Sequence, residues 1–197
     1  MRRISEIIIH CTATPPSMHV DKATLDRWHG ARGFRECGYH YIVHQDGTVE
    51  RGRALEKQGA HCLGHNPQSV GVVYVGGLSE NLDESNDTRT DAQKQTLNRL
   101  CLLLKLRFPS ADIFGHREFA AKACPCYDVH ADTRATVYST YGHIMYGEYL
   151  FRGEYLFRDS PGPVWLNNLR SFVDDPHLKA VREDFADLPL LYQQRKL

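Results

Sequence analysis

Apolar and polar positions along the first two thirds of the chain switch repeatedly between a period of two and a period near four. Residues 4–9 are β-branched and apolar enough for a buried strand, with Glu6 the one charge inside it and His10 at its C-terminal end. Pro15, Pro16 and Ser17 then signal a loop. From Thr24, Leu25 and Trp28 repeat at helical spacing, and Gly33 stops a short helix. Tyr39 to His44 alternates as a strand, and Asp46-Gly47 turns it into Thr48 to Arg51, a hairpin signal. Ser69 to Val75 forms another buried strand, ended by Gly76-Gly77. Thr90 and Gln93 make a capping box for a helix carrying Leu97, Leu100, Cys101 and Leu104 on one face until Pro109. Asp112-Ile113-Phe114 is a last short strand, delivering Gly115-His116. Strands and helices mix without strict alternation, which predicts an α/β fold with a mixed central β-sheet flanked by helices.

The pattern changes after about residue 130. Tyrosine becomes dense, at 138, 141, 146, 149 and 155, and the hexapeptide Gly-Glu-Tyr-Leu-Phe-Arg occurs in tandem at 147–152 and 153–158. Two short copies are too few for a solenoid and read as a local duplication. Those tyrosines suit carbohydrate stacking, although aromatic packing is the commoner use. Ser160-Pro161-Gly162-Pro163 is a break, and Asp175-Pro176 opens a helix whose apolar stripe is Leu178, Val181, Phe185 and Leu188. Such a segment is too small for a generous core of its own. The expected division is a catalytic unit over 1–132 and a mostly helical C-terminal extension over 133–197, docked on it.

Composition narrows the function classes. Lysine plus arginine and aspartate plus glutamate both number 24 in 197 residues, so the formal charge is zero and no nucleic-acid partner is expected. No stretch approaches the roughly 20 apolar residues of a membrane span. Met1-Arg2-Arg3 begins with positive charge, but Glu6 interrupts the short apolar run and no small-residue cleavage site follows, so a first strand is expected rather than a signal peptide. Of the six cysteines, Cys11, Cys37, Cys62 and Cys101 are expected to be small buried hydrophobes.

The candidate chemistry is metal hydrolysis. Catalytic zinc takes three protein ligands and leaves a position for water, and His10, His116 and Cys124 are the candidates. Spacing alone says little, because His29 and Cys37 share the separation of His116 and Cys124. The neighbourhood says more. Lys122, two residues before Cys124, can face an oxygen developing negative charge, a stabilisation worth roughly 3–4 kcal/mol in other enzymes. By itself a surface lysine is the plainer reading of Lys122, as a core aromatic is of Tyr39. His40 and His44 are expected to be structural.

Six segments, in order, resemble the type 2 N-acetylmuramoyl-L-alanine amidases, a family that includes small phage lysozyme-amidases and peptidoglycan recognition proteins. They are Ile9-His10-Cys11-Thr12-Ala13-Thr14, Gly38-Tyr39-His40-Tyr41-Ile42-Val43, Asp46-Gly47-Thr48-Val49, Gly59-Ala60-His61-Cys62-Leu63-Gly64-His65-Asn66, Ser69-Val70-Gly71-Val72 and Lys122-Ala123-Cys124-Pro125. The resemblance spans roughly residues 4–130. It implies an amidase-like fold and a Zn2+ ion on His10, His116 and Cys124. It also implies catalytic roles for Tyr39 and Lys122, and contacts from His61 and Asn66 to a peptidoglycan or muropeptide substrate. The chain is expected to act as a monomer on cell wall.

The implied reaction is hydrolysis of the amide between N-acetylmuramic acid and L-alanine. The more distantly similar cytoplasmic recycling amidases place a glutamate on the strand matching Val70 to Val75; here that strand carries no carboxylate. Cys126 is not a family ligand position and is expected to be structural. Two other readings stay open: a module that binds peptidoglycan without cleaving it, and a structural zinc with Cys126 as its fourth ligand.

Overall fold

Isoleucine and valine are stiff at χ1 and fit pleated backbone, and they concentrate where the chain builds the middle of its sheet. The computed structural model describes residues 2–142, 144, 164–189 and 191. The tandem hexapeptide lies outside the described residues. Five strands, β1 (Glu6–Cys11), β2 (Tyr41–Val43), β3 (Val49–Arg51), β4 (Ser69–Tyr74) and β5 (Asp112–Gly115), stand in the order β3-β2-β4-β1-β5. β1 runs parallel to β4 and β5, β2 runs parallel to β4, and β2 and β3 pair antiparallel. The expected mixed sheet is present. Gly47, at φ +86°, supplies the left-handed residue its hairpin turn needs.

Side-chain alternation gives the sheet two unlike faces. Ile7, Ile9 and Cys11 of β1 join Val70, Val72 and Tyr74 of β4 and Ile113 of β5 in the main core. Helix α2 (Asp91–Arg107) contributes Leu97, Leu100 and Leu104 to that core. The other face holds Ile42, Val73 and Val75 in a smaller cluster with Leu25 of helix α1 (Lys22–Gly30). His10 is the register partner of Val73, and Val73 of Ile42, so His10 belongs to this second, more open face.

The two helices expected before residue 130 form, with differences at their edges. Asp21 caps α1 by accepting from the Thr24 amide at 2.8 Å. The face α1 buries carries Leu25 and His29, while Trp28, expected inside, is 37% exposed. His29 takes the inner place because its Nδ1 accepts the buried Gly38 amide at 2.8 Å. α2 begins at the Thr90–Gln93 capping box as expected. Its second half is buried well beyond one stripe, Leu102, Leu103 and Leu106 included, because chain from the C-terminal third covers the side away from the sheet.

That chain begins with a π-helical turn, His130–Arg134, which runs into α3, residues 135–142; α4 (Val164–Val173) follows later. Leu178, Val181, Phe185 and Leu188 are all buried, as their pattern predicts. The helix expected after Asp175-Pro176 is present over Pro176–Asp184, in 3-10 form. Asp175 accepts from the His177 amide at 2.8 Å. The step of three from Leu178 to Val181 suits a helix of three residues per turn, which stacks that pair, and the turn after it repeats the step as the Leu188 amide donates to the Phe185 carbonyl at 3.0 Å. Leu169, Val173, Phe185 and Leu188 share one apolar cluster with Ile7 and Leu103. A polar clasp sits beside it: Asp184 accepts from Tyr41 Oη at 2.8 Å and from Arg51 at 2.9 Å.

Two stability predictions follow from these buried polar groups. Gln93, fully buried, accepts from the Thr90 amide and donates to the carbonyls of Val43 and Val75 at 3.2 and 2.9 Å. Gln93→Leu should cost roughly 2–4 kcal/mol, since buried carbonyls lose their donors. Thr90→Ala, which removes a cap and one exposed hydrogen bond to the Gln45 carbonyl, should cost about 1 kcal/mol. Thermal unfolding ranking the two in the opposite order would overturn this account. Asp184→Ala strands the Tyr41 hydroxyl and leaves the Arg51 guanidinium with Glu183 alone, 3.1 Å away, and should cost roughly 2–3 kcal/mol. Denaturant unfolding within experimental error of wild type would show that the clasp does not hold the C-terminal segment.

Candidate metal centre and cleft

Parallel strands end at a common edge, and that edge assembles the centre. Ile9 of β1 is in register with Gly115 of β5, so the next residues, His10 and His116, emerge side by side with ring centroids 4.5 Å apart. His116 opens a short 3-10 turn, His116–Glu118, and Glu118 Oε1 folds back to accept the Gly115 amide at 2.6 Å. The chain then returns, and the Arg117 amide donates to the Cys124 carbonyl at 2.7 Å. This closes a loop that brings Cys124 Sγ to 3.9 Å from His10 Nδ1. Ligand atoms of His10, His116 and Cys124 all lie within 4.8 Å of one another.

The donor set fits zinc. Arms of about 2.05 Å to nitrogen and 2.3 Å to sulfur, meeting at a tetrahedral angle, place N and S about 3.6 Å apart. The His10–Cys124 separation is close to that. Among the described residues the metal-competent cluster has three members, which leaves one tetrahedral position without a protein ligand.

Electrostatics favour the ligating protonation states. Burial, then the neighbouring His61, His116 and Lys122, hold His10 well below the ordinary imidazole value. Burial and Lys122 lower His116 as well. Both rings are therefore neutral and able to donate a lone pair. The three thiols at this corner separate. Contact with Cys11 lowers Cys124, whose sulfur accepts the Cys11 amide at 3.3 Å. Cys11 itself is pushed up to about 12 by its contact with Cys124. Cys126 is raised by its contact with Cys11 and by burial, its Sγ 3.6 Å from Cys11 Sγ. Cys124 is the thiol set to be a thiolate; Cys11 and Cys126 form a protonated pair packed behind it.

Above this floor lies a cleft lined by Tyr39, His61, Asn66, His116 and Lys122, with His29, Arg32, Phe34 and Leu63 completing its walls. Tyr39 sits with its ring centroid 5.1 Å from that of His10. Burial raises the Tyr39 phenol, so it remains protonated at neutral pH. Lys122 is exposed at the rim. Every site residue singled out from the sequence is thus gathered at one end of the sheet. Asn66 differs in what it does there: its Oδ1 accepts the amides of His61 and Cys62 at 2.8 and 3.0 Å, bracing the loop. His40 is fully buried and structural, its Nδ1 accepting the Gly71 amide at 3.0 Å. Cys11, Cys37, Cys62 and Cys101 are free and buried, as expected.

Sequence reasoning missed several groups. Arg32, Phe34 and Leu63 carry no motif that marks them as cleft walls, although Leu63 is 97% exposed and so costs apolar contact with water. The Cys11 amide that supports Cys124 is a backbone group and leaves no trace in side-chain identity.

The family model described as N-acetylmuramoyl-L-alanine amidase matches residues 1–127. An endolysin of Klebsiella phage KP32 is 40% identical over 126 residues, covering 64% of this chain and 82% of the relative. An endolysin of Escherichia phage T7 is 39% identical over 123 residues, 62% and 81% of the two chains. Among solved structures, the N-acetylmuramoyl-L-alanine amidase LysC from Clostridium intestinale superposes with a TM-score of 0.56 at 26% identity, covering 63% of this chain and 77% of that one. With the fold, the cleft and the sequence likeness in agreement, the chain belongs to the N-acetylmuramoyl-L-alanine amidase family and is an amidase of that kind.

Proposed function

We propose that the chain uses a zinc ion on His10, His116 and Cys124 to hydrolyse the amide between N-acetylmuramic acid and L-alanine in peptidoglycan, with Tyr39 and Lys122 as its catalytic side chains. The observation that carries this reading is the convergence of two imidazoles and one thiol within 4.8 Å, with one of them, His116, lining a cleft that bears both side chains. When bound, zinc lowers the pKa of water from ~15.7 to about 7 and polarises a carbonyl. Two neutral imidazoles and one thiolate leave the centre near +1, so it stays a Lewis acid. The endolysin names of the phage relatives support a lytic role on cell wall.

The chain's own groups divide the remaining work. Lys122 brings a flexible ammonium to the rim, where it can meet the carbonyl oxygen as negative charge develops. Tyr39, held protonated by burial, is a donor: it orients the nucleophile or passes a proton to the departing alanine nitrogen. His61 and Asn66 shape the wall that receives the stem peptide. Residues 1–132 hold all of these groups, and the described residues after 132 brace them by packing against α2 and the sheet.

A purely structural zinc is disfavoured because Cys126 turns to Cys11, not to the three-residue cluster. A recognition module without turnover is disfavoured because all three ligands and both catalytic side chains are present.

Digestion of purified peptidoglycan should release intact stem peptides with free N-terminal alanine, read by mass spectrometry, and chelation should abolish release until zinc is restored. Cys124→Ala should lose the metal and all turnover. Lys122→Ala should keep zinc and lose about 100- to 1000-fold in kcat; full activity in that variant would remove Lys122 from the mechanism. Wall binding without any release would establish the recognition reading instead. No helix among the described residues is long and apolar enough to cross a membrane.

A further inference from the structure

His61 reaches past the cleft wall to the metal centre itself. Its Nδ1 lies 3.0 Å from His10 Nε2, and its Nε2 lies 3.2 Å from Ser69 Oγ. His10 meanwhile directs its other nitrogen, Nδ1, toward Cys124 Sγ. An imidazole in the neutral state carries one proton, and the hydrogen bond made by one nitrogen decides what the other can do. If His10 donates Nε2–H to His61, its Nδ1 keeps a lone pair for metal. His61 then accepts at Nδ1 and donates Nε2–H to Ser69 Oγ. The reverse direction would place a proton on His10 Nδ1, pointing into the ligand cluster.

The surrounding backbone is built to hold that ring. A Cβ added at Gly71 would stand 2.5 Å from His61 Cδ2, and one at Gly59 would meet the same atom at 2.5 Å. Gly71 sits inside β4 between Val70 and Val72, where a glycine weakens the strand and usually marks a close approach. It is in register with Ile8, on the same open face as His10. Asn66 clamps the His61 backbone from the other side. The rings of His10 and His61 meet edge to face, with centroids 5.0 Å apart.

We propose that His61 is a positioning residue for the metal: through the His10–His61–Ser69 chain it fixes the ring and tautomer of His10, and Gly71 exists to admit it. The inference rests on the zinc reading above and gives His61, besides its place in the cleft wall, the support of a ligand. Partners of this kind typically contribute 10–100-fold to metal affinity.

The test is zinc affinity of the purified full-length chain, by competition with a chromophoric chelator, with circular dichroism checking each variant's fold. His61→Ala should bind zinc about 10–100-fold more weakly than wild type. His61→Gln, which can still accept from His10 and donate to Ser69, should recover most of that loss. Gly71→Ala, which deletes no ligand and no hydrogen-bonding side chain, should weaken zinc in the same direction by crowding the ring. Equal zinc affinity in wild type and His61→Ala overturns the inference and leaves the zinc reading standing. So does a His61→Ala protein whose only change is a raised KM, which would leave His61 to the substrate wall alone. No zinc binding by wild type removes the zinc reading itself.

Discussion

The parallel register of β1 between β4 and β5 is the constraint on which the site depends. Three hydrogen-bonded strands ending at one edge bring His10, His116 and the chain after Tyr74 to the same level without any long connection. Pleating then decides the face. Residues 7, 9 and 11 enter the core against α2, so residue 10 must point to the opposite side. A slip of one residue in β1 would bury His10 among leucines and turn Ile9 into the cleft. The near-continuous burial of β1 and β4 makes such a slip expensive, because every apolar side chain would change sides with the histidine.

The second ordering principle is electrostatic and acts over a few ångströms. Three thiols crowd one corner, and only one suits a metal ligand as a thiolate. The Cys11 thiol and then the Cys11 amide favour charge on Cys124, that charge opposes a second one on Cys11, and Cys11 together with burial raises Cys126. Burial works in the same sense on the histidines, keeping them neutral. Desolvation therefore favours neutral imidazoles, and the Cys11 thiol and amide favour charge on Cys124, with no carboxylate among the causes.

Legibility of the sequence followed the range of the interactions involved. The strands, the capping box at Thr90 and the hairpin at Asp46-Gly47 depend on neighbours a few residues away, and their patterns give them directly. His10, His116, Cys124, Tyr39 and Lys122 could be gathered because their short motifs stand in a familiar order; spacing alone offered His29 and Cys37 equally well. What stayed hidden depends on contacts distant in sequence. Trp28 and His29 compete for one helical face, and the winner is set by the Gly38 amide. The 3-10 form of Pro176–Asp184 depends on packing against α2 and β3, although its step of three was visible in the apolar stripe.

Gly71 shows how the fold and the chemistry constrain the same position. A buried central strand ordinarily favours β-branched residues, and Val70, Val72 and Val73 obey that preference. The glycine among them forgoes side-chain packing at the centre of the sheet, yet the volume it leaves is filled by the His61 ring, and its own amide is taken by His40 Nδ1. The local loss in strand stability is thereby offset by a ring stacked over the sheet and hydrogen-bonded at both nitrogens. Reading β4 as a strand explains Val70 to Tyr74 except for this one residue, and the exception lies beneath the His61 ring that reaches His10. Where propensity and packing disagree at a single buried position, the demand that wins belongs to the site.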